Sequence, residues 1–128
     1  MKKILLILIS IPLIFSSCEK ETFVDYYIDN QSSTEISVHG TNIISSSTIN
    51  HVVLSNEKKE VSSWSKRGKE TDFFEPITMF GDDLIITNAS GDTLIKDYKV
   101  LSNWSSDVDD EKTQASHEYI LVVSDSDF

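Results

Sequence analysis

The sequence predicts an all-β fold, an antiparallel β-sandwich, and three observations lead to this prediction. Apolar and polar residues alternate within short segments, as at Val24, Tyr26 and Ile28, which is typical of strands with one buried and one wet face. Clusters of turn residues separate these segments at nearly regular spacing. Apolar residues at helical spacing are almost absent. The pattern favours a sandwich of immunoglobulin-like or related type with about eight short strands.

Each predicted strand lies between residues that favour turns. Leu84–Tyr98 is expected to form a hairpin around Asn88–Asp92. The final segment is apolar on both faces at Ile120–Val123, so we expect it in the centre of a sheet. In chain order, the candidate strands are Phe23–Ile28, Glu35–His39, Thr48–Leu54, Glu60–Trp64, Ile77–Phe80, Leu84–Asn88, Thr93–Tyr98 and Glu118–Val123.

Two polar stretches interrupt the strand pattern. Ser102–Ser116 is acidic around Trp104, and the sequence predicts a long loop there before the last strand. Ser62–Asp72 is rich in serine and charge, and is predicted to be a mobile hairpin tip.

The first 18 residues follow the order of a bacterial lipoprotein signal. A cationic start is followed by Ile4–Phe15, which is apolar apart from Ser10. This run is shorter than the roughly 20 residues that a membrane-spanning helix needs, and it fits the apolar region of a signal peptide. Phe15-Ser16-Ser17-Cys18 resembles a lipobox, with Phe where Leu is usual. The alternative is an ordinary secreted protein in which Cys18 is a free thiol.

The lipobox divides the chain into three segments. Residues 1–17 are predicted to be a cleaved signal peptide, residues 18–22 the lipidated N-terminus and a charged tether, and residues 23–128 the β-sandwich domain. Cys18 would carry diacylglycerol through a thioether together with an acyl chain such as palmitate. Two or more chains suffice for stable membrane anchoring.

Charge and cysteine content exclude several classes of protein. Removal of Lys2 and Lys3 with the signal leaves nine basic against 21 acidic residues, a net charge of −12. This acidic balance argues against nucleic-acid binding, because phosphate contacts need an excess of Lys and Arg. The single cysteine excludes an intramolecular disulfide and a cysteine-rich metal centre.

The residues that could carry catalysis form no recognisable motif. His39, His51 and His117 lack the spacing of a zinc-protease helix, and the 20 serines include no Gly-x-Ser-x-Gly sequence. The acidic run Asp107–Glu111 lacks the glycine and distal glutamate of an EF-hand, so it is expected to be a solvated loop. We therefore predict no enzyme activity, no metal and no cofactor. A hydrolase built from His51, His117 and a serine stands as the third hypothesis.

Two other features are candidates for ligand binding. Five of the nine basic residues after Cys18 lie between Lys58 and Lys69, around Trp64; they form either an anionic-ligand patch or a solubilising hairpin. Trp64 and Trp104 are candidate ligand platforms of the kind that binds glycans, and the alternative is that each is a core residue.

The chain resembles the small lipoproteins of Bacteroidetes-type bacteria, most of which lack an assigned activity. The resemblance rests on Ser16–Lys20, on Tyr27–Ser32, on the hairpin from Ile85 to Leu94 and on the ending Tyr119–Phe128. It implies a β-sandwich anchored in the cell envelope, most often at the outer membrane, on either the periplasmic face or the cell surface. Asp92-Thr93-Leu94 is similar to the O-glycosylation sequence of those bacteria, which makes Thr93 a candidate site.

These features favour a non-catalytic, lipid-anchored module that binds a protein or a glycan. The alternative is an inhibitor or immunity protein whose acidic, protruding loops plug the basic active site of an enzyme or toxin.

Overall fold

The computed structural model describes residues 19–128, which form two β-sheets and confirm the predicted all-β, sandwich-like fold. The predicted signal peptide and Cys18 lie outside the described residues. Seven strands are present among the described residues, and three short helical turns accompany them. The elements are β1 (Glu21–Asn30), β2 (Ile36–Asn42), β3 (Ser47–Val53), β4 (Glu57–Arg67), α1 (Ile77–Phe80), β5 (Ile85–Asn88), a 3₁₀ turn (Leu101–Asn103), β6 (Trp104–Asp110), β7 (Gln114–Val123) and a 3₁₀ turn (Asp125–Asp127).

The larger sheet has the strand order β4-β1-β7-β6, and the smaller has the order β3-β2-β5. All neighbours are antiparallel except β1 and β7, which run parallel with Tyr26 opposite Tyr119. The prediction of a purely antiparallel sandwich is therefore wrong for this central pair. The last strand does lie inside its sheet, between β1 and β6, as its apolar character on both faces predicts.

The core is built on the inward rows of β1 and β7, where every second residue is buried. Tyr26 stacks on Tyr119 with ring centroids 4.8 Å apart. It also makes edge-to-face contacts with Phe80 and Trp104, with ring centroids 5.0 and 5.6 Å apart. Such offset and edge-to-face pairs add to the free energy gained from apolar burial. Burial raises the pKa of Tyr26 above its usual value. The buried residues of the two rows are Thr22, Val24, Tyr26, Ile28, Asn30, Ala115, His117, Tyr119, Leu121 and Val123.

Both segments predicted to be irregular contain strand. β4 continues to Arg67, so only the last part of Ser62–Asp72 is loop. Within Ser102–Ser116, β6 pairs with β7 as an edge strand. Trp104 faces the core there, while Asp107 and Asp109 face solvent. Acidic residues are compatible with this position, because charges on an edge strand discourage pairing with a further chain.

The segment Ile77–Phe80, predicted to be a strand, is the single-turn helix α1. Pro76 precedes it with φ of −58°, which suits the start of a helix. Gly81 ends it with φ of +56°, a conformation that glycine adopts at little cost. Four apolar residues in a row do not distinguish a strand from a buried helical turn, and these flanking residues decide the outcome.

The segment Thr93–Tyr98, also predicted to be a strand, makes one bridge between Thr93 and Thr87 and then leaves the sheet. The C-terminus holds it: the Ile95 amide donates to the Asp127 carbonyl at 2.7 Å, and Lys96 Nζ lies 2.9 Å from an Asp127 carboxylate oxygen. Burial opposes ionisation of Asp127, but hydrogen bonds from Lys96 and Ser124 outweigh it and lower the pKa of that carboxyl. The expected hairpin is thus reduced to a turn with one bridge.

Asn30 fixes the passage of the chain from one sheet to the other. It is fully buried at the end of β1. Its Nδ2 donates to the carbonyls of Thr34 and Val53 at 2.8 and 3.0 Å, and its Oδ1 accepts from the Ser32 amide and hydroxyl. One side chain therefore joins the end of β1, the following loop and the end of β3.

Replacing this side chain tests the role of the junction. Asn30→Ala is expected to lower the free energy of unfolding by about 2–4 kcal/mol, because it leaves buried backbone groups without partners. Asn50→Ala, at an exposed position on β3, is the matched control and should change it by less than about 0.5 kcal/mol. Denaturant unfolding measures both; equal effects would contradict the assigned role.

Candidate interaction face

The outward face of the four-stranded sheet carries a group of carboxylates that we call the acidic face: Asp25, Glu60, Asp107, Asp109 and Glu118. Each lies on a strand whose neighbouring residues face the core. Strand register brings them together, because Glu118 is the partner of Asp25 on β1 and of Asp107 on β6. Side chains opposite each other on one sheet face lie within interaction range.

An open depression lies in this face, above β1, β7 and β6. Four carboxylate residues line it, together with Ser116 and His117: Asp25, Asp107, Asp109 and Glu118. Because the strands are paired over their length here, the carboxylates occupy fixed positions on a sheet. A cationic group entering the depression would meet several of them at once.

Asp25 is affected by its burial and by two neighbouring carboxylates of the acidic face. Partial burial raises the pKa of Asp25, and the charges of Glu60 and Glu118 raise it further. Lys58 neutralises part of the negative charge of this face, because its Nζ lies 3.0 Å from a Glu118 carboxylate oxygen. The same Nζ lies 4.6 Å from the centre of the Tyr27 ring. Asp25, Asp107 and Asp109 make no side-chain hydrogen bond or ion pair among residues 19–128.

The basic cluster does not form a single patch. The Nε atom of Arg67 lies 3.5 Å from a Glu19 carboxylate oxygen, and Lys69 forms an ion pair with Asp110. The Lys66 ammonium lies over the Phe74 ring. Lys59 donates to the backbone carbonyl of Val52 at 2.8 Å. The strand β4 thus distributes these residues among different partners, which favours the interpretation as solubilising charge over an anionic-ligand patch.

The two tryptophans are packed against protein. Trp104 is 5% exposed, stacks on Phe80 at 6.0 Å, and donates from Nε1 to the Tyr98 carbonyl at 2.7 Å. Trp64 is half-buried, and its Nε1 is buried. Its ring makes an edge-to-face contact with Phe74, with ring centroids 5.1 Å apart. The expectation of exposed ligand platforms is not met at Trp104, because inward orientation on an edge strand places its ring in the core.

No hydrogen bond joins a histidine side chain to a serine among residues 19–128. His117 is buried on β7, and its Nε2 lies 2.7 Å from the Glu70 carbonyl, so this nitrogen carries the proton. His51 lies on β3 in the other sheet and His39 is exposed on β2. Residues 19–128 contain no group of three or more His, Cys, Asp or Glu placed to hold a metal ion.

Of the two modification sites predicted from the sequence, Thr93 lies within the described residues and Cys18 does not. Thr93 is exposed, directly after the turn at Gly91, so its hydroxyl is accessible and its glycosylation stays a prediction. Cys18 lies outside the described residues, and its lipidation also stays a prediction. Over residues 19–128, no helix has the length and apolar character needed to cross a bilayer.

Comparison with known proteins adds no relative: no family model, curated protein or solved structure matches the chain.

The acidic face is a site that the sequence alone does not reveal. Asp107 and Asp109 belong to an acidic run that is visible in the sequence. Asp25, Glu60 and Glu118 are distant in sequence and come together only through strand order. The sequence gives one indication of this face: apolar and polar residues alternate in β1, which predicts that the Asp25 side chain faces solvent.

The partial burial of Asp25, together with the charges of Glu60 and Glu118, makes the stability of the fold depend on pH. A carboxyl whose pKa is higher in the folded than in the unfolded protein destabilises the fold once it ionises, so this penalty is present at neutral pH and disappears as the pH falls below the ordinary aspartate range. Asp25→Asn is therefore expected to raise the melting temperature at pH 7, with a gain that shrinks towards pH 3. Asp72→Asn, at an exposed position outside the face, is the control; an equal gain for both variants would argue against local repulsion.

Proposed function

We propose that the chain is a lipid-anchored, non-catalytic binding module of the bacterial envelope, and that its acidic face binds a basic protein. The observation that carries the proposal is the group of mutually repelling carboxylates at fixed positions around one depression. A cationic group in this depression would lie close to several negative charges at once, which favours association with a basic partner. The lipobox supports the envelope location.

A sheet face suits this role better than the loops of the alternative hypothesis. An inhibitor that plugs a cleft needs a protruding segment, and Ser62–Asp72 and Ser102–Ser116 suggested such segments in the sequence. In the structure, β4 and β6 take up much of both stretches. The carboxylates of β6 therefore lie on a sheet that another protein can cover, whereas Glu70 and Asp72 lie in the loop after β4.

The anchor is tested at Cys18. Cys18→Ala should abolish incorporation of labelled fatty acid and move the protein from the membrane to the soluble fraction, because the thioether cannot form. Ser17→Ala keeps a small residue before the cysteine and should leave both properties unchanged. Membrane retention of the Cys18→Ala protein would overturn lipid anchoring.

The binding face is tested with two triple variants of equal charge change. Asp25→Asn/Asp107→Asn/Asp109→Asn neutralises the face without removing an ion pair, while Glu35→Gln/Asp72→Asn/Asp83→Asn neutralises three exposed carboxylates elsewhere. Binding to a ten-residue oligolysine peptide at low salt should weaken at least tenfold for the first variant and less than threefold for the second. Short-range cross-linking in envelope membranes should then lose any basic protein partner only with the first variant.

Equal weakening by both triple variants would mean that net charge alone attracts the peptide, and would overturn the acidic face as a binding site. Cross-linking that is unaffected by the first variant would exclude this face as the surface that contacts the partner.

A further inference from the structure

One end of the sandwich gathers the segments nearest to Cys18. Residues 19–22, 66–72 and 110–114 lie together there, and we call this surface the anchor end. β1 starts at this end, β4 and β6 finish there, and β7 begins there: Glu21 pairs with Arg67 on β4 and with Gln114 on β7.

The chain is fixed to the fold almost as soon as the described residues begin. The Gly68 amide donates to the Lys20 carbonyl at 2.7 Å, and the Glu21 amide donates to the Thr113 carbonyl at 3.0 Å. Thr22, which is fully buried, donates to the Gly68 carbonyl and accepts from the Glu70 amide. Glu21 and Thr22, predicted to belong to a tether, are strand residues.

This leaves very little chain between Cys18 and the folded domain. Only Glu19 and Lys20 separate the cysteine from β1. An extended chain spans at most about 3.6 Å per residue, so the Cα atom of Cys18 would lie within about 11 Å of the Cα atom of Glu21. The domain could not move far from the membrane surface or turn its opposite end towards it.

The anchor end carries much less net negative charge than the rest of the domain, which suits a position close to the membrane. The anchor end holds five of the nine basic residues that follow Cys18 but only six of the 21 acidic ones, a net charge of −1. The remainder of the domain carries −11. An anionic membrane surface repels acidic protein surface, so the nearly neutral end is the one that can approach lipid headgroups. The five basic residues are Lys20, Lys66, Arg67, Lys69 and Lys112.

We propose that the anchor end rests on the lipid headgroups, with the strands of the larger sheet rising from the membrane. This inference rests on the lipid anchor of the proposed function. Strands rise about 3.3 Å per residue, which places Asp25 about 13 Å along β1 from Glu21. The acidic face would then stand beside the membrane, and a protein that binds it must reach it there.

The orientation can be measured in the full-length, lipidated protein with two single probes. Lys112→Cys places a fluorophore at the anchor end, and Ser102→Cys places one at the opposite end, beside the start of β6; both positions are exposed. The proteins are reconstituted in phosphatidylethanolamine–phosphatidylglycerol vesicles that contain a lipid with a nitroxide headgroup. Quenching of the Lys112→Cys probe should exceed that of the Ser102→Cys probe at least threefold.

A lengthened tether and a mass measurement separate the two hypotheses. Insertion of ten Gly/Ser residues after Cys18 should reduce quenching of the Lys112→Cys probe, because the domain can then leave the surface. A protein whose mass lacks lipid on Cys18 would overturn the proposed function itself. Lipidated protein with equal quenching at both positions, or with quenching unaffected by the insertion, would overturn the enforced orientation alone.

Discussion

The parallel pairing of β1 with β7 is the interaction on which the rest of this structure depends. It joins ten consecutive residue pairs, from Glu21 opposite Gln114 to Asn30 opposite Val123. Because side chains alternate between faces, this one register places Tyr26 against Tyr119 in the core and Asp25 beside Glu118 outside. β4 and β6 then complete the sheet on either side. A shift of the register by one residue would bury carboxylates and expose the aromatic stack, so core packing protects the geometry of the acidic face.

The same pairing explains why the domain can hold mutually repelling charges. The aromatic cluster around Tyr26, together with a junction such as Asn30, stabilises the sheet independently of its outer surface. The acidic face therefore remains in place although partial burial and the charges of Glu60 and Glu118 raise the pKa of Asp25. Surfaces that are unfavourable in the free protein are common at sites of recognition, since binding relieves the penalty.

Prediction from sequence succeeded where the local pattern matched the tertiary environment. β1, β2 and β3 alternate clearly because one of their faces meets the core, and the apolar end of β7, Ile120–Val123, lies in a strand between two others. β6 was missed because an edge strand tolerates acidic residues that elsewhere indicate a loop. α1 was mistaken for a strand because four apolar residues are compatible with either structure. Thr93–Tyr98 has strand alternation, but Ile95 and Lys96 bind Asp127 near the C-terminus. These contacts hold the segment away from the sheet.

The sequence by itself determined the all-β class, most strand positions and the acidic character of the chain, because alternation and charge are local properties. It also supplied the prediction of a lipid on Cys18, since the lipobox is a contiguous motif. Only the tertiary structure decided which carboxylates meet, because Asp25, Glu60 and Glu118 lie on three strands whose order no local pattern encodes. It likewise decided that Glu21 and Thr22 belong to the fold, because their partners on β4 and β7 are distant in sequence. Local patterns determine which face a side chain takes, whereas strand order determines its neighbours.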